Sequence, residues 1–225
     1  MRVISNRDSE SSESITKWFD KEVEGGENGI LIYPNLQTFR QIYTKYVKEQ
    51  LAKTGEEEEE HDNSNRNKTH RSNKQSNPRI ILIATFYETT DSVKHSLGTV
   101  GVDAQSHIED GSLVIVDAFS SYYPDVSGMK KLVASLSDRA RREGRVGGVT
   151  AIVDMGFFFL FGGDGRATEL INYEASLAPK TEGGNVKGFS CYHGGNYTTL
   201  KDSQKEELAQ KGKKVLEITE SSTTS

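Results

Sequence analysis

GILIYPNLQTFRQIY, residues 29–43, has the pattern of a short β-strand, a turn and the start of an amphipathic helix. Many α/β proteins place a phosphate-binding loop between such a strand and such a helix. Here Pro34 and Asn35 stand where that loop would carry glycines, a lysine and a hydroxyl side chain. The stretch therefore predicts an α/β domain whose first strand–turn–helix unit lacks a phosphate loop.

The rest of the chain repeats this alternation of strand and helix patterns. Most of the strand-like runs are apolar without alternation, which is typical of parallel strands buried on both faces. Helical spacing of apolar residues follows at 36–51 and 129–144, and shorter helices are predicted at 91–99 and 200–210. The strand-like runs are RIILIAT (79–85), SLVIVDAF (112–119), VTAIVDM (149–155), KGFSCY (187–192) and KVLEIT (214–219). The order predicts a three-layer α/β domain, a mostly parallel sheet with helices on both faces.

Composition divides the 225 residues into one domain and three polar segments. A hydrophobic content of 34% suffices for a single core over residues 28–219. Residues 1–27 are rich in Ser, Glu and Asp and are predicted to be a mobile tail, anchored by the apolar patch ITKWF at 15–19. Residues 56–77 carry no aliphatic side chain, which predicts a disordered insertion, although its acidic and basic blocks could instead form a docking segment. Residues 220–225 are predicted to be a C-terminal tail.

The charge balance argues against several classes of partner. A formal net charge of −5 and a pI near 5.6 give no general attraction to nucleic acid or to anionic membranes. No run approaches the roughly 20 apolar residues that cross a bilayer, and Cys191 is the single cysteine, which excludes an intrachain disulfide. These features favour a cytoplasmic protein that contacts neither nucleic acid nor membrane directly.

Polar and aromatic side chains end five of the predicted strands. In open parallel sheets ligands bind outside the carboxyl ends of the strands, so these side chains are candidates for a ligand site. The alternative is that each one caps a helix or lines the wet edge of the sheet. The candidates are Tyr33, Tyr87, Glu88, Asp117, Tyr122, Tyr123, Asp154, Tyr192 and His193.

Two further candidates lie away from the strand ends. Glu174 falls inside the apolar stripe of the helical pattern at 166–178, where a carboxylate must be paired, protonated or used by a ligand. Phe157 belongs to the aromatic run at 157–161, which predicts either core or subunit interface, or the apolar wall of a pocket. The glycines that follow could form a turn or cradle an anion.

Signatures of catalysis and of metal binding are weak. Cys191 and His193 share one face of a strand, yet two ligands do not make a zinc site. No nucleophile elbow, H-E-x-x-H motif or Walker lysine is present in the sequence. We therefore expect neither enzymatic activity nor a metal site, and nothing in the sequence requires a cofactor.

The order of six motifs suggests a family. They are GILIYPNLQTFRQIYTKYVKEQL, HIEDGSLVIVDAFSSYYP, GMKKLVASLSDRARREG, VTAIVDMGFFF, LINYEASL and GFSCYHGGNYT, and together they resemble the methanogen/methylotroph DcmR-type sensory domain, MEDS, over about residues 28–219. That family resembles a RecA/KaiC-like ATPase core that has lost its phosphate loop. The resemblance implies that Asp154 is the remnant of a Walker B aspartate. His193 departs from the family pattern, which often carries an aspartate at this place.

The resemblance implies a non-catalytic sensory module that binds a small molecule and signals through a protein partner or by forming a homo-oligomer. The alternative is a divergent nucleotide-binding protein or weak ATPase that uses GGDGR at 162–166 together with Asp154. Loss of the Walker lysine and of the loop hydroxyl, which normally serve the phosphates and Mg²⁺, favours the sensory module.

Overall fold

The structure is a computed structural model that describes residues 2–5, 15–23, 28–55, 79–122, 127–160, 164–176, 185–210 and 214–219. The predicted insertion at 56–77, the predicted tail at 220–225 and Tyr123 lie outside the described residues.

Among the described residues, seven strands form one sheet, in the order β1-β7-β2-β6-β5-β3-β4, and each pair of neighbours is parallel. Strands β2 to β7 correspond to the predicted strand-like runs, and β3 and β7 also have the predicted boundaries. The strands are β1 (Arg2–Ser5), β2 (Asn28–Tyr33), β3 (Arg79–Thr85), β4 (Leu113–Asp117), β5 (Gly148–Asp154), β6 (Val186–His193) and β7 (Lys214–Thr219).

Helices cover both faces of the sheet. Side chains of α1, α2 and α3 pack on one face, and side chains of α4, α5, α6 and α8 pack on the other. The helices are α1 (Leu36–Gly55), α2 (Thr90–Thr99), α3 (Ala104–Glu109), α4 (Ala118–Tyr122), α5 (Ser127–Arg142), α6 (Asp164–Ser176), α7 (Gly194–Tyr197) and α8 (Asp202–Gln210). The predicted three-layer α/β class with a parallel sheet is confirmed. We call the side of the sheet under α1 the first face and the side under α5 the second face.

Two stretches of the N-terminal region contact the domain, 2–5 and 15–23, and the second contains the predicted anchor ITKWF. Strand β1 pairs with β7, with Arg2 opposite Leu216. Trp18 and Phe19, in a π-helical turn at Trp18–Glu22, are buried on the first face, and the ring of Phe19 lies 4.0 Å from that of Phe189. A polar composition around a four-residue strand hides it from sequence analysis, whereas the burial of two large rings offsets the cost of ordering the segment.

We predict that Trp18→Ala lowers the free energy of unfolding by about 3–5 kcal/mol, because it removes a fully buried ring and leaves a cavity. Chemical denaturation measures the change. Lys48→Ala, on the exposed face of α1, is the control and should stay within about 0.5 kcal/mol of wild type. If the two variants are equally stable, residues 15–23 do not contribute to the stability of the domain.

Candidate functional site at the carboxyl edge of the sheet

Strands β2, β6, β5 and β3 lie side by side and end at the same edge. Their register places Tyr33 opposite His193 and Asp154 opposite Cys191. Paired residues of parallel strands point to the same face, and side chains two residues apart do so as well. Tyr33, Asp154 and His193 therefore all belong to the first face, next to the start of α1.

Asp154 is a buried carboxylate, with 1% of its surface exposed. Its Oδ1 accepts a hydrogen bond from the backbone N–H of Gly156 at 2.9 Å, and its Oδ2 accepts one from the hydroxyl of Tyr33 at 3.3 Å. Burial raises the pKa of Asp154 to about 7, against the lowering effect of these bonds and of the backbone N–H groups of Tyr87 and Phe86. The charge of this edge therefore changes close to neutral pH.

Tyr33 is held in place on two sides. Its ring stacks on that of Phe39 from α1, with 4.5 Å between centroids and 12° between planes. Burial and then the charge of Asp154 raise the pKa of the Tyr33 hydroxyl far above its usual range, so the hydroxyl stays protonated and donates to the carboxylate. A phenol and a carboxylate thus occupy the end of the first strand.

The turn after Tyr33 closes the start of α1. The side-chain Oδ1 of Asn35 accepts from the backbone N–H of Thr38 at 2.8 Å, and the Asn35 carbonyl accepts from Phe39 at 3.1 Å. This is a standard N-cap. In a phosphate-binding loop the N–H groups at such a helix start face the phosphate, whereas here a side chain of the turn itself takes one of them.

Tyr87 forms the outer rim of the edge, with 40% of its surface exposed. Its hydroxyl accepts a hydrogen bond from the Nδ2 of Asn196, and its ring centroid lies 5.8 Å from that of His193. A Cβ added to Gly156 would stand 2.8 Å from Cε2 of Tyr87, so glycine lets the phenol ring lie directly on the backbone beside Asp154. The pKa of Tyr87 is raised, first by burial and then by the charge of Asp154.

His193 and Glu88 fix the elements that carry this rim. The Nδ1 of His193 accepts from the backbone N–H of Gly195 at 3.1 Å and caps α7, the helix that carries Asn196. The carboxylate of Glu88 turns away from the edge and accepts from the Nε of Arg40 on α1 at 2.8 Å. Glu88, which follows Tyr87 in the chain, therefore bonds the rim to α1.

A second cluster lies in the core of the second face. The hydroxyl of Tyr192 donates to Oε1 of Glu174 at 2.6 Å, and both side chains are buried. Tyr122 stacks on Phe157 with 5.2 Å between centroids, and its hydroxyl donates to that of Tyr173 at 3.4 Å. Glu174 therefore occupies the predicted core-facing position and is hydrogen-bonded there.

The structure places the predicted site residues in separate groups, and they do not line one pocket. It brings Tyr33, Tyr87, Asp154 and His193 together at the first face. Asp117 is exposed and accepts from the N–H of Ser120 at the start of α4. The second-face cluster holds Tyr122, Phe157, Glu174 and Tyr192, and Glu88 faces α1. The prediction of one shared pocket is wrong, because neighbouring residues of a strand, such as Tyr192 and His193, point to opposite faces.

Asn196 and Gly156 were not among the predicted site residues. Asn196 follows a strand within GGNY, where only its position after the predicted β6 could have drawn attention to it. Within the described part of the chain, no group of three or more His, Cys, Asp and Glu side chains could hold a metal ion. No helix among the described residues is both long and apolar enough to cross a membrane.

Comparisons with known proteins relate the chain to solved structures by fold. No family model matches the sequence, and no curated protein matches it. An uncharacterized protein from Pyrococcus horikoshii, solved in complex with an unknown peptide, superposes with a TM-score of 0.57 at 12% identity, over 88% of this chain and 80% of that one. A KaiC-like protein from Pyrococcus horikoshii OT3 superposes with a TM-score of 0.45 at 11% identity, over 76% of this chain and 65% of that one. The first likeness shows a shared fold, and the second is too loose to add to it.

Asp154 makes a testable contribution to the pH dependence of stability. Its pKa is about 7 in the folded state against an ordinary 3.8, so between these values the folded state binds more protons than the unfolded state. The free energy of unfolding should therefore fall as pH rises from about 4 to about 7, by roughly 1.4 kcal/mol per unit from this group, and level off above that.

We predict that Asp154→Asn removes this slope, because the amide keeps the shape and does not titrate. Denaturation of both proteins at several pH values between about 4 and 9 gives the difference between them, in which the other titrating groups cancel. Parallel curves over the whole range would show that the Asp154 carboxyl has an ordinary pKa.

Proposed function

We propose that this chain is a non-catalytic ligand-binding module of the MEDS sensory type. It takes up a small molecule at the rim formed by Tyr87, His193 and Asn196 and passes the signal to a protein partner or to a second copy. The observation that carries the proposal is the bond between the hydroxyl of Tyr33 and the buried carboxylate of Asp154, at 3.3 Å. It fills the end of β2, beside the start of α1, with a phenol and a carboxylate that are bonded to each other, and this supports a site for something other than a phosphate.

The N-cap made by Asn35 supports the same conclusion. It satisfies the N–H of Thr38 within the chain, and an anion at this helix start would have to displace it. A phosphate would also meet the carboxylate of Asp154, and no loop lysine is present to neutralise the charge.

The chemistry of the described side chains also favours binding over catalysis. Cys191, the single thiol, is fully buried on the first face, and burial raises its pKa well above the ordinary value. A thiol in this state is a poor nucleophile. The oxygens of Asp154 are engaged by Gly156 and Tyr33 and are shielded from water, so they are not open to a bound substrate.

A route for the signal leads from the rim to α1. Tyr87 is followed by Glu88, whose side chain is 2% exposed and bonded to Arg40 of α1 and to Ser92 of α2. A ligand that moves Tyr87 therefore acts on the contact between two helices that cover the first face. The Arg40 side chain is 39% exposed, so solvent screens part of the attraction, and the hydrogen bonds of Glu88 to Arg40 and to Ser92 link the rim to the two helices.

The competing function is nucleotide binding, and MgATP separates the two. We predict that MgATP and ADP at millimolar concentration give neither a rise in melting temperature nor phosphate release. A site with a Kd of about 10 µM would stabilise the protein by about 2.7 kcal/mol at 1 mM nucleotide, so its effect would be plain. Phosphate release by wild type that disappears in Asp154→Asn would establish the weak-ATPase function instead.

Signalling by self-association has a candidate surface next to the second-face cluster. Phe119 and Leu160 are 38% and 46% exposed, and the ring of Phe119 lies 5.9 Å from that of Phe157. The backbone N–H of Leu160 bonds to the carbonyl of Phe157, so both exposed residues contact Phe157, one through its ring and one through its backbone. Exposed apolar groups that lie near each other are typical of interfaces.

We predict that the protein forms a homo-oligomer in solution and that the double variant Phe119→Ser, Leu160→Ser shifts it towards the monomer. Light scattering over a wide range of protein concentration measures the mass. Val146→Ser is the matched control, because Val146 is also exposed and apolar but precedes β5 at the opposite edge of the sheet. A wild-type mass of 25.0 kDa at every concentration would exclude self-association.

A further inference from the structure

The rim of the carboxyl edge combines exposed aromatic surface with a fixed amide. The ring of Tyr87 has the ring of Phe86 on one side, at 5.0 Å and 88°, and that of His193 on another, at 5.8 Å and 57°. The amide of Asn196 holds the hydroxyl of Tyr87. Aromatic faces carry negative charge density and attract cations, organic ammonium groups in particular.

A negative charge lies directly behind this aromatic surface. The ring of Tyr87 lies on Gly156, whose N–H is bonded to the carboxylate of Asp154. The charge of Asp154 also acts on the hydroxyl of Tyr87, where it contributes to the raised pKa of that group. Asp154 is buried, so protein lies between its carboxylate and the inner side of the Tyr87 ring, and its field there is screened less than that of a surface charge.

The nearest charges described on the neighbouring elements act weakly at the rim. The guanidinium of Arg40, on α1, is bonded to Glu88. Asp117 is exposed and lies two strands away from β5, where solvent screens its charge. A cation at the rim therefore gains from the ring and from the carboxylate together, whereas an anion is repelled and a neutral molecule gains the ring contact alone.

We propose that Tyr87, His193 and Asn196 form a recognition site for an organic ammonium cation, with the buried carboxylate of Asp154 behind them as the counter-charge. The inference rests on the proposed function and names the class of ligand for the same edge. The oxygens of Asp154 are already bonded to Gly156 and Tyr33, so Asp154 acts on the ligand through its field, and the ring of Tyr87 makes the contact. A quaternary ammonium group, which has no N–H to donate, fits this division of roles. Metal cations need several oxygen or nitrogen ligands at once, which the described residues do not supply.

Choline and 3,3-dimethylbutan-1-ol have the same shape, but choline is a cation and the alcohol is uncharged. Comparing their affinities therefore tests the proposal. Calorimetric titration at about pH 8.5, where the carboxylate of Asp154 is ionised, gives both affinities. We expect choline to bind wild type at least about tenfold more tightly, since a cation–π contact reinforced by a buried charge is worth about 1.4 kcal/mol or more.

Three variants locate the effect. Tyr87→Leu should weaken choline about fivefold or more, and Tyr87→Phe, which keeps the ring and loses the bond to Asn196, should stay within about twofold of wild type. Asp154→Asn should lower the ratio of the affinity for choline to the affinity for the alcohol to about one. Asp117→Asn makes the same charge change at an exposed position two strands away and should leave the preference unchanged. Tyr87 is at the surface, so its variants carry the test even if Asp154→Asn fails to fold.

Equal affinity for choline and the alcohol, or no binding of choline, would overturn the proposal, and so would choline binding that is indifferent to Tyr87→Leu. These results would leave the ligand-binding function standing, with a neutral ligand in place of a cation. Binding of MgATP would instead refute the proposed function itself, so the two failures are distinguishable.

Discussion

A buried carboxylate at the end of β5 determines how the carboxyl edge of this sheet is built. An ionised carboxylate inside a protein is costly unless donors surround it. The chain supplies Tyr33 from β2 and the N–H of Gly156 from the turn that follows, and the backbone of Phe86 and Tyr87 adds to them. Three strands and two loops are thus organised around one side chain. Glycine at 156 follows from the same constraint, because a side chain there would collide with the rings of Phe86 and Tyr87.

The two faces of the sheet use aromatic residues differently. On the first face, Tyr33 and Tyr87 bring hydroxyls and rings to the edge around a carboxylate, one of them exposed. On the second face, Tyr122 and Tyr192 are buried, and burial raises the pKa of both hydroxyls well above the ordinary value. The second-face hydroxyls bond to one another and to Oε1 of Glu174. The exposed hydroxyl-bearing ring lies at the first face, which is why we place the proposed ligand there.

The sequence predicted the fold well because a buried parallel strand leaves a strong signal. The runs at 79–85 and 214–219 agree with β3 and β7 residue for residue. Strand β1 was not predicted, since four residues within a polar region give no periodicity and its partner β7 is far away in sequence. The strand ends stay candidates for a ligand site, and the grouping into one pocket fails at Tyr192 and Glu174, which lie on the second face. A run that is apolar on both sides does not tell which face each terminal side chain takes, and register decides it.

The carboxyl edge satisfies its polar groups within the chain, and this affects what it can bind. The start of a helix leaves backbone N–H groups that need partners, and the side chain of Asn35 takes the N–H of Thr38. A buried carboxylate must find donors or be protonated, and Asp154 has both the hydroxyl of Tyr33 and a pKa of about 7. An anion at this edge would have to displace the N-cap, and above neutral pH it would also meet the charge of Asp154. The groups that satisfy the edge from within therefore disfavour anions there, which is the physical basis for proposing a cationic ligand at Tyr87.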